Sequence, residues 1–167
     1  MRVLIIYSIF FLLFVSSCKV AKYLPPGEKL YKGSTIKVKK EGDVKNSARS
    51  LKKLLGQAVR PKPNKFILGQ PYKVWWWYVI GEPKKQKGIK KWLRDKLGEP
   101  PVLGSRVNAV TTAENMTAFL ENLGYFHSTV AGDMVNKNYF TKAVYEAKVF
   151  QQYTIKNITW VSESSTL

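Results

Sequence analysis

The chain has 167 residues, with 28 Lys+Arg against 11 Asp+Glu, a formal net charge of +17 and 13% aromatic residues. That aromatic content excludes disorder as a description of the whole chain, and the length suits one domain with part of another. One cysteine, Cys18, excludes an internal disulfide, and one histidine, His127, cannot by itself build a usual zinc site.

The N-terminus reads as an export signal. Met1-Arg2 supplies a small positive region, and Val3 to Val15 is apolar apart from Ser8. A charged start, an apolar run of roughly 7–15 residues and small residues at the cut describe a secretory leader. The run is shorter than the about 20 apolar residues that a membrane span needs. Val15-Ser16-Ser17-Cys18 then places an aliphatic residue and two small ones before a thiol. This is the pattern of a lipoprotein cleavage site, cut between Ser17 and Cys18. A nucleophilic thiol can form the thioether to diacylglycerol, so covalent acyl chains on Cys18 are expected, and no cofactor besides. Cleavage removes a single charge, Arg2, and leaves the mature chain strongly basic. Such a surface is attracted to anionic headgroups or to nucleic acid, and export favours the membrane.

Residues 18–29, containing Pro25-Pro26-Gly27, read as a tether. In Leu30 to Lys40, Ile36 and Val38 alternate with Lys37 and Lys39, which predicts a half-buried strand. Gly42-Asp43 breaks the strand, and Asp43 can cap the next helix. Val44, Ala48, Leu51 and Leu55 fall at helical spacing among lysines, a helix that Pro61 and Pro63 should terminate. Tyr72 to Ile80, with Trp75-Trp76-Trp77-Tyr78, is apolar all round, and Gly81-Glu82-Pro83 closes it. Lys84 to Leu97 sets Ile89, Trp92, Leu93 and Leu97 on one face of a basic amphipathic helix, ended by Gly98-Glu99-Pro100-Pro101. Such a helix can lie in a membrane interface. Trp75, Trp76, Trp77, Lys90, Lys91 and Arg94 are therefore candidate membrane-interface residues, since tryptophan favours the headgroup layer. The plainer reading packs the tryptophans as core. Three consecutive helical residues cannot all face inward, so both readings can hold.

Thr111 and Glu114 have capping-box spacing, followed by a Met116, Phe119, Leu120, Leu123 stripe. Gly124 stands where a left-handed C-cap belongs, with Tyr125 and Phe126 able to fold back. His127 to Val135 and Tyr139 to Phe150 read as a hairpin joined at Asn136-Lys137-Asn138. Thr141, Ala143, Tyr145, Ala147 and Val149 share one face with Tyr139, while Lys142, Glu146 and Lys148 point the other way. Tyr153 to Val161 reads as one more strand.

The order strand, helix, apolar-basic insertion, helix, strand, strand, with Leu123-Gly124-Tyr125-Phe126 closing the second core helix, resembles a POTRA domain. These are the periplasmic modules of the BamA/TamA class of outer-membrane assembly proteins. The cleavage site, Lys62-Pro63-Asn64, the Trp-rich insertion and Leu97-Gly98-Glu99-Pro100-Pro101-Val102 are more narrowly similar to its lipoprotein branch, TamL. The resemblance implies an α+β, βααββ fold with a helical Trp/Lys-rich insertion at about 65–104 between the two core helices. It sets the domains as a signal peptide at 1–17, the tether at 18–29, a POTRA-like domain at 30–150 and the first strand of a second repeat at 151–167. It implies a lipid-anchored module of outer-membrane protein insertion, docking partners by strand addition along His127 to Val135, with Val130 and Met134 as candidate contacts. The implied partners are outer-membrane lipid and either a periplasm-spanning TamB-like protein or unfolded outer-membrane client proteins. Family members continue through further repeats into a membrane barrel. Nothing after Phe150 supplies the alternating segments a barrel needs, so these residues are expected to be a piece of a longer protein or a shortened gene product.

No catalytic constellation is legible, and an enzyme is not expected. Lys32-Gly33-Ser34-Thr35 lacks the upstream glycine of a P-loop, and Asp43, Asp95 and Asp133 are scattered. The competing reading is a basic, aromatic-rich binder of nucleic acid or membrane surface, unrelated to assembly. Processing of the first residues separates the two, because an exported chain has no natural nucleic-acid partner.

Overall fold

The computed structural model describes residues 20–85 and 87–159. The leader, the Ser17/Cys18 cleavage site and the end of the last expected strand lie outside them. The architecture is α+β. Strand β1 (Leu30–Lys40) leads to helix α1 (Ala48–Gly56), the helix pair α2 (Tyr72–Ile80) and α3 (Ile89–Leu97), helix α4 (Ala109–Asn122), and strands β2 (Thr129–Lys137) and β3 (Phe140–Val149). The three-stranded sheet has the order β1-β3-β2. The Leu30 N–H donates to the Tyr139 carbonyl and the Glu41 N–H to the Val149 carbonyl, so β1 and β3 run parallel. The turn between β2 and β3 is tight, with Asn138 at φ 54°.

The residues divide into two compact units. The first comprises the chain up to Thr35, Val59–Ala109 and Asp133–Val144. Its core is Val20, Leu30 and Val74, all fully buried, with Leu24, Phe66, Trp75, Tyr78 and Phe140 packed around them. Within the stretch expected as a tether, Val20–Tyr23 is thus folded. Val20–Tyr23 forms a 3-10 turn, and Tyr23 stacks on Tyr78 of α2 at 5.7 Å between ring centres. The reason is apolar burial: the fully buried Val20, worth roughly 1.5–3 kcal/mol, acts together with Leu24 and the stacked Tyr23 against the entropy of ordering the segment.

Asn64 closes the base of the excursion that carries α2 and α3. Its buried side-chain amide donates to Glu99 Oε1 at 2.9 Å and to the Pro100 carbonyl at 2.8 Å. Its Oδ1 accepts the Val102 N–H at 2.7 Å. Glu99 also accepts the Lys65 N–H, at 3.3 Å, and its own N–H donates to the Lys73 carbonyl. Val102 in turn accepts the Tyr31 N–H, and Leu103 bridges antiparallel to Leu30. The two ends of the excursion are therefore joined to each other and to the start of β1.

The second unit comprises Ile36–Ala58, Val110–Gly132 and the chain from Tyr145. Its buried residues include Leu51 and Leu55 of α1, Ala113, Met116 and Leu120 of α4, Tyr125, and Tyr145, Ala147 and Val149 of β3. The inward face expected of β3 is the one observed. Burial pushes the Tyr145 phenol up from its ordinary pKa. Helix α1 begins at Ala48, later than expected. The cap is Ser47, whose hydroxyl accepts the Ser50 N–H at 3.1 Å, rather than Asp43. Helix α4 begins at Ala109, before the expected capping box, so Thr111 stands inside its first turn. Its end matches expectation. Gly124 has φ +89°, its N–H donates to the Glu121 carbonyl, and the Tyr125 N–H reaches back to the Leu120 carbonyl. A β-carbon at Gly124 would stand 2.4 Å from the Tyr153 carbonyl oxygen, so glycine is required for conformation and for space.

Residues 151–159 form no strand. The Tyr153 N–H instead donates to the Gly124 carbonyl, and the Gln152 amide donates to that of Leu123. A strand needs a neighbour to bond with, and here the helix cap takes that place.

Asn64→Ala should lower stability by about 1–2 kcal/mol, because it removes the side-chain bonds to the part-buried Val102 N–H and Pro100 carbonyl; the urea midpoint of unfolding measures it. Loss of the exposed Lys37–Glu146 pair by Glu146→Gln should move the same midpoint little.

Candidate functional site

Two surfaces carry the residues singled out in the sequence. The first is the β2 edge. Because the sheet order is β1-β3-β2, β2 pairs on one side only among the described residues, and none of its own residues is buried. The Val130 N–H donates to Thr117 Oγ1 at 3.0 Å, and the same hydroxyl donates to the Ala113 carbonyl. The Met134 N–H donates to Asp133 Oδ1 at 2.7 Å. Neither N–H is engaged with a strand. Alternation of the backbone puts Gly132 and Asn136 on that same edge. Both expected edge contacts therefore lie on the outer side of the sheet, each occupied by a side-chain oxygen. This is a familiar way for a sheet to blunt an open edge. Asp133, whose carboxylate accepts the N–H of the next residue, stands in the sequence only as one of three scattered aspartates, and nothing in its spacing signals the edge role.

The far end of β2, within the first unit, is flanked by hollows. One of about 320 Å³ is lined by Met134, Asn136, Thr141, Ser105 and the backbone turn at Gly27–Lys29. Another of about 430 Å³ is lined by Val135, Phe140 and three lysines, Lys32, Lys137 and Lys142. Lys32 stands 5.0 Å from the Phe140 ring centre and 5.6 Å from that of Phe66, so its charge sits over aromatic faces.

The second surface is the α2–α3 pair. The structure separates the tryptophans that the sequence groups together. Trp75 packs against the Val20–Leu30–Val74 core, with its ring 4.9 Å from that of Trp76. Trp77 lies under Arg94, whose guanidinium carbon is 3.6 Å from the ring centre. That cation–π contact joins α2 to α3 and turns both residues away from an interface role of their own. Gly98 permits the close approach, since a β-carbon there would meet the Trp77 backbone at 3.2 Å. Trp76 is exposed, as are Lys90 and Val79. Lys91 pairs with Asp95 at 3.5 Å. On α3 the apolar stripe read as one face of an amphipathic helix is largely uncovered: Ile89 is 78% exposed, Trp92 59% and Leu97 40%, and the helix has no buried residue. Arg94 supplies the contact to α2, while Ile89 and Trp92 stay on the outside of the nine-residue helix.

His127 is exposed, and its ring meets Tyr153 edge-on at 6.0 Å. Among the described residues no group of three or more His, Cys, Asp or Glu side chains is placed to hold a metal ion. No helix among them is long and apolar enough to cross a membrane. No protein-family model, curated protein or solved structure matches the chain.

Thr117→Val should leave α4 folded and expose the Val130 N–H. Amide exchange at Val130 should accelerate by roughly fivefold, the equivalent of one neutral hydrogen bond of about 1 kcal/mol.

Proposed function

We propose that this chain is the lipid-anchored, periplasmic POTRA-like module of an outer-membrane insertion and assembly factor, and that it docks partners by strand addition at β2. The observation that carries the docking reading is the edge itself. The outward N–H groups of Val130 and Met134 are held by side-chain oxygens, and a partner strand's carbonyls can replace these without breaking the sheet. Backbone bonds then give affinity that depends little on sequence, while hollows beside the strand select alternate side chains. The lysine-lined hollow favours a partner with an acidic or polar-aromatic side chain at that register. The βααββ order with a helical insertion between the core helices, and the Ser17/Cys18 cleavage pattern, support the family part of the reading. The chemistry asked of the chain is recognition, with no bond made or broken after acylation of Cys18.

Two experiments test this. Expression of the chain in a Gram-negative host should yield a mature species that begins at an acylated Cys18 and fractionates with the outer membrane; an unmodified, full-length soluble product in the intact-mass spectrum would remove the lipoprotein reading. For docking, an unfolded outer-membrane barrel protein diluted from urea should shift and protect the amides of Gly132, Met134 and Asn136. Met134→Pro should abolish that protection while the cooperative unfolding transition persists. Equal binding by the folded proline variant would exclude β2 as the docking edge.

A further inference from the structure

We infer that helix α3 is a membrane-contacting element whose Ile89 and Trp92 enter the headgroup layer of an anionic bilayer while its lysines hold the phosphates. The inference rests on the lipid-anchored reading for orientation alone.

Ile89 and Trp92 are three residues apart, so they stand on one side of the helix, and they are its most exposed apolar residues. An amphipathic helix ordinarily buries its apolar stripe, and this one buries nothing. The side of α3 that meets the protein is engaged: α3 packs along α2, Arg94 covers the Trp77 ring, and the Gly98 N–H closes on the Arg94 carbonyl. The outward side carries an isoleucine and a tryptophan with no cover among the described residues. Four lysines, Lys87, Lys90, Lys91 and Lys96, lie on or beside the helix with them, against the single acid of α3, Asp95. That acid is already paired with Lys91 at 3.5 Å. A protein partner for such a face would have to combine an apolar hollow with a dense ring of acids. A bilayer containing anionic lipid supplies both chemistries at once, with about 1 kcal/mol for each lysine near the surface and a favoured level for the indole.

The position of the N-terminal segment selects this occupant further. Val20 is fully buried in the same cluster as Val74 of α2, and Tyr23 stacks on Tyr78 at the other end of that helix. Val20 follows Cys18 by two residues, and two residues reach at most about 7 Å. A chain anchored at Cys18 therefore meets the α2–α3 unit immediately and cannot stand off at the end of a flexible tether. One lipid signal beside a polybasic, apolar-tipped helix is the two-signal arrangement that stable membrane association requires.

The test uses the full chain with Cys18→Ala, which removes acylation, together with Ile89→Cys carrying a nitroxide spin label. A second protein carries the label at Leu68→Cys instead, an almost fully exposed apolar position elsewhere in the first unit. Both are reconstituted through the apolar N-terminal run into phosphatidylcholine vesicles with and without phosphatidylglycerol. In the anionic vesicles the label at 89 should lose accessibility to an aqueous nickel relaxant several-fold and gain accessibility to oxygen. The label at 68 should stay water-accessible in both. Replacing Lys87, Lys90 and Lys91 by glutamine should return the label at 89 toward water. If positions 89 and 68 are equally water-accessible in the anionic vesicles, the proposal is overturned and the face is left to an acidic protein. Because the labelled chain cannot be acylated, failure here is distinct from failure of the lipoprotein reading.

Discussion

The side-chain amide of Asn64 is the interaction on which the first unit depends. From a buried position it bonds the Pro100 carbonyl, the Val102 N–H and the Glu99 carboxylate together. Closing a long excursion costs entropy that grows slowly with length, so a few well-made bonds at its base suffice to hold it. Without that closure the helices it carries have little to keep them. Each is nine residues long, a length that is marginal in isolation. Helix α2 buries one residue completely and α3 none. Their stability comes from packing on each other, on the Val20–Leu30–Val74 cluster and on the base that Asn64 closes.

This dependence explains how a folded unit can present an apolar, basic face to its surroundings. A helix that needed its own apolar stripe for stability could not leave Ile89 and Trp92 outside. Here Trp75 supplies core contact and Trp77 the joint with Arg94, which frees the outer face of α3 from any structural task. The second unit has the more usual arrangement. Its inward-facing β3 residues, the stripe of α4 and the short apolar face of α1 are buried, and its lysines point outward or pair on the surface, as Lys37 does with Glu146.

The proposed docking edge and the proposed membrane face use different physics. Along β2 the recognition groups are backbone N–H groups held in reserve by Thr117 and Asp133, so exchange of one hydrogen-bond acceptor for another is close to neutral in energy. On α3 recognition depends on burial and on long-range charge, and it weakens with salt. A module anchored at its N-terminus would thereby hold one face to the bilayer while its sheet edge exchanges partners.

Much of the fold was legible from residue pattern alone. Alternation in Leu30–Lys40 and in Phe140–Val149 marked both strands, and in the second also the inward face, while Gly124 marked the end of α4, because period-2 burial and a left-handed cap are local properties. The bounds of α2 were likewise marked by where apolar residues begin and where Gly81 interrupts them. Tertiary structure decided the rest. It placed Ser47 rather than Asp43 at the start of α1, drew Val20 into a core where composition suggested a tether, and left residues 151–159 clasping a helix cap instead of forming a strand. It also sorted three adjacent tryptophans into core, joint and surface, and turned the apolar stripe of α3 outward. The reason is common to all of these: a residue's own period shows that it can be buried or bonded, but which partner takes it is set by what the chain brings alongside, and that depends on contacts between residues far apart in sequence.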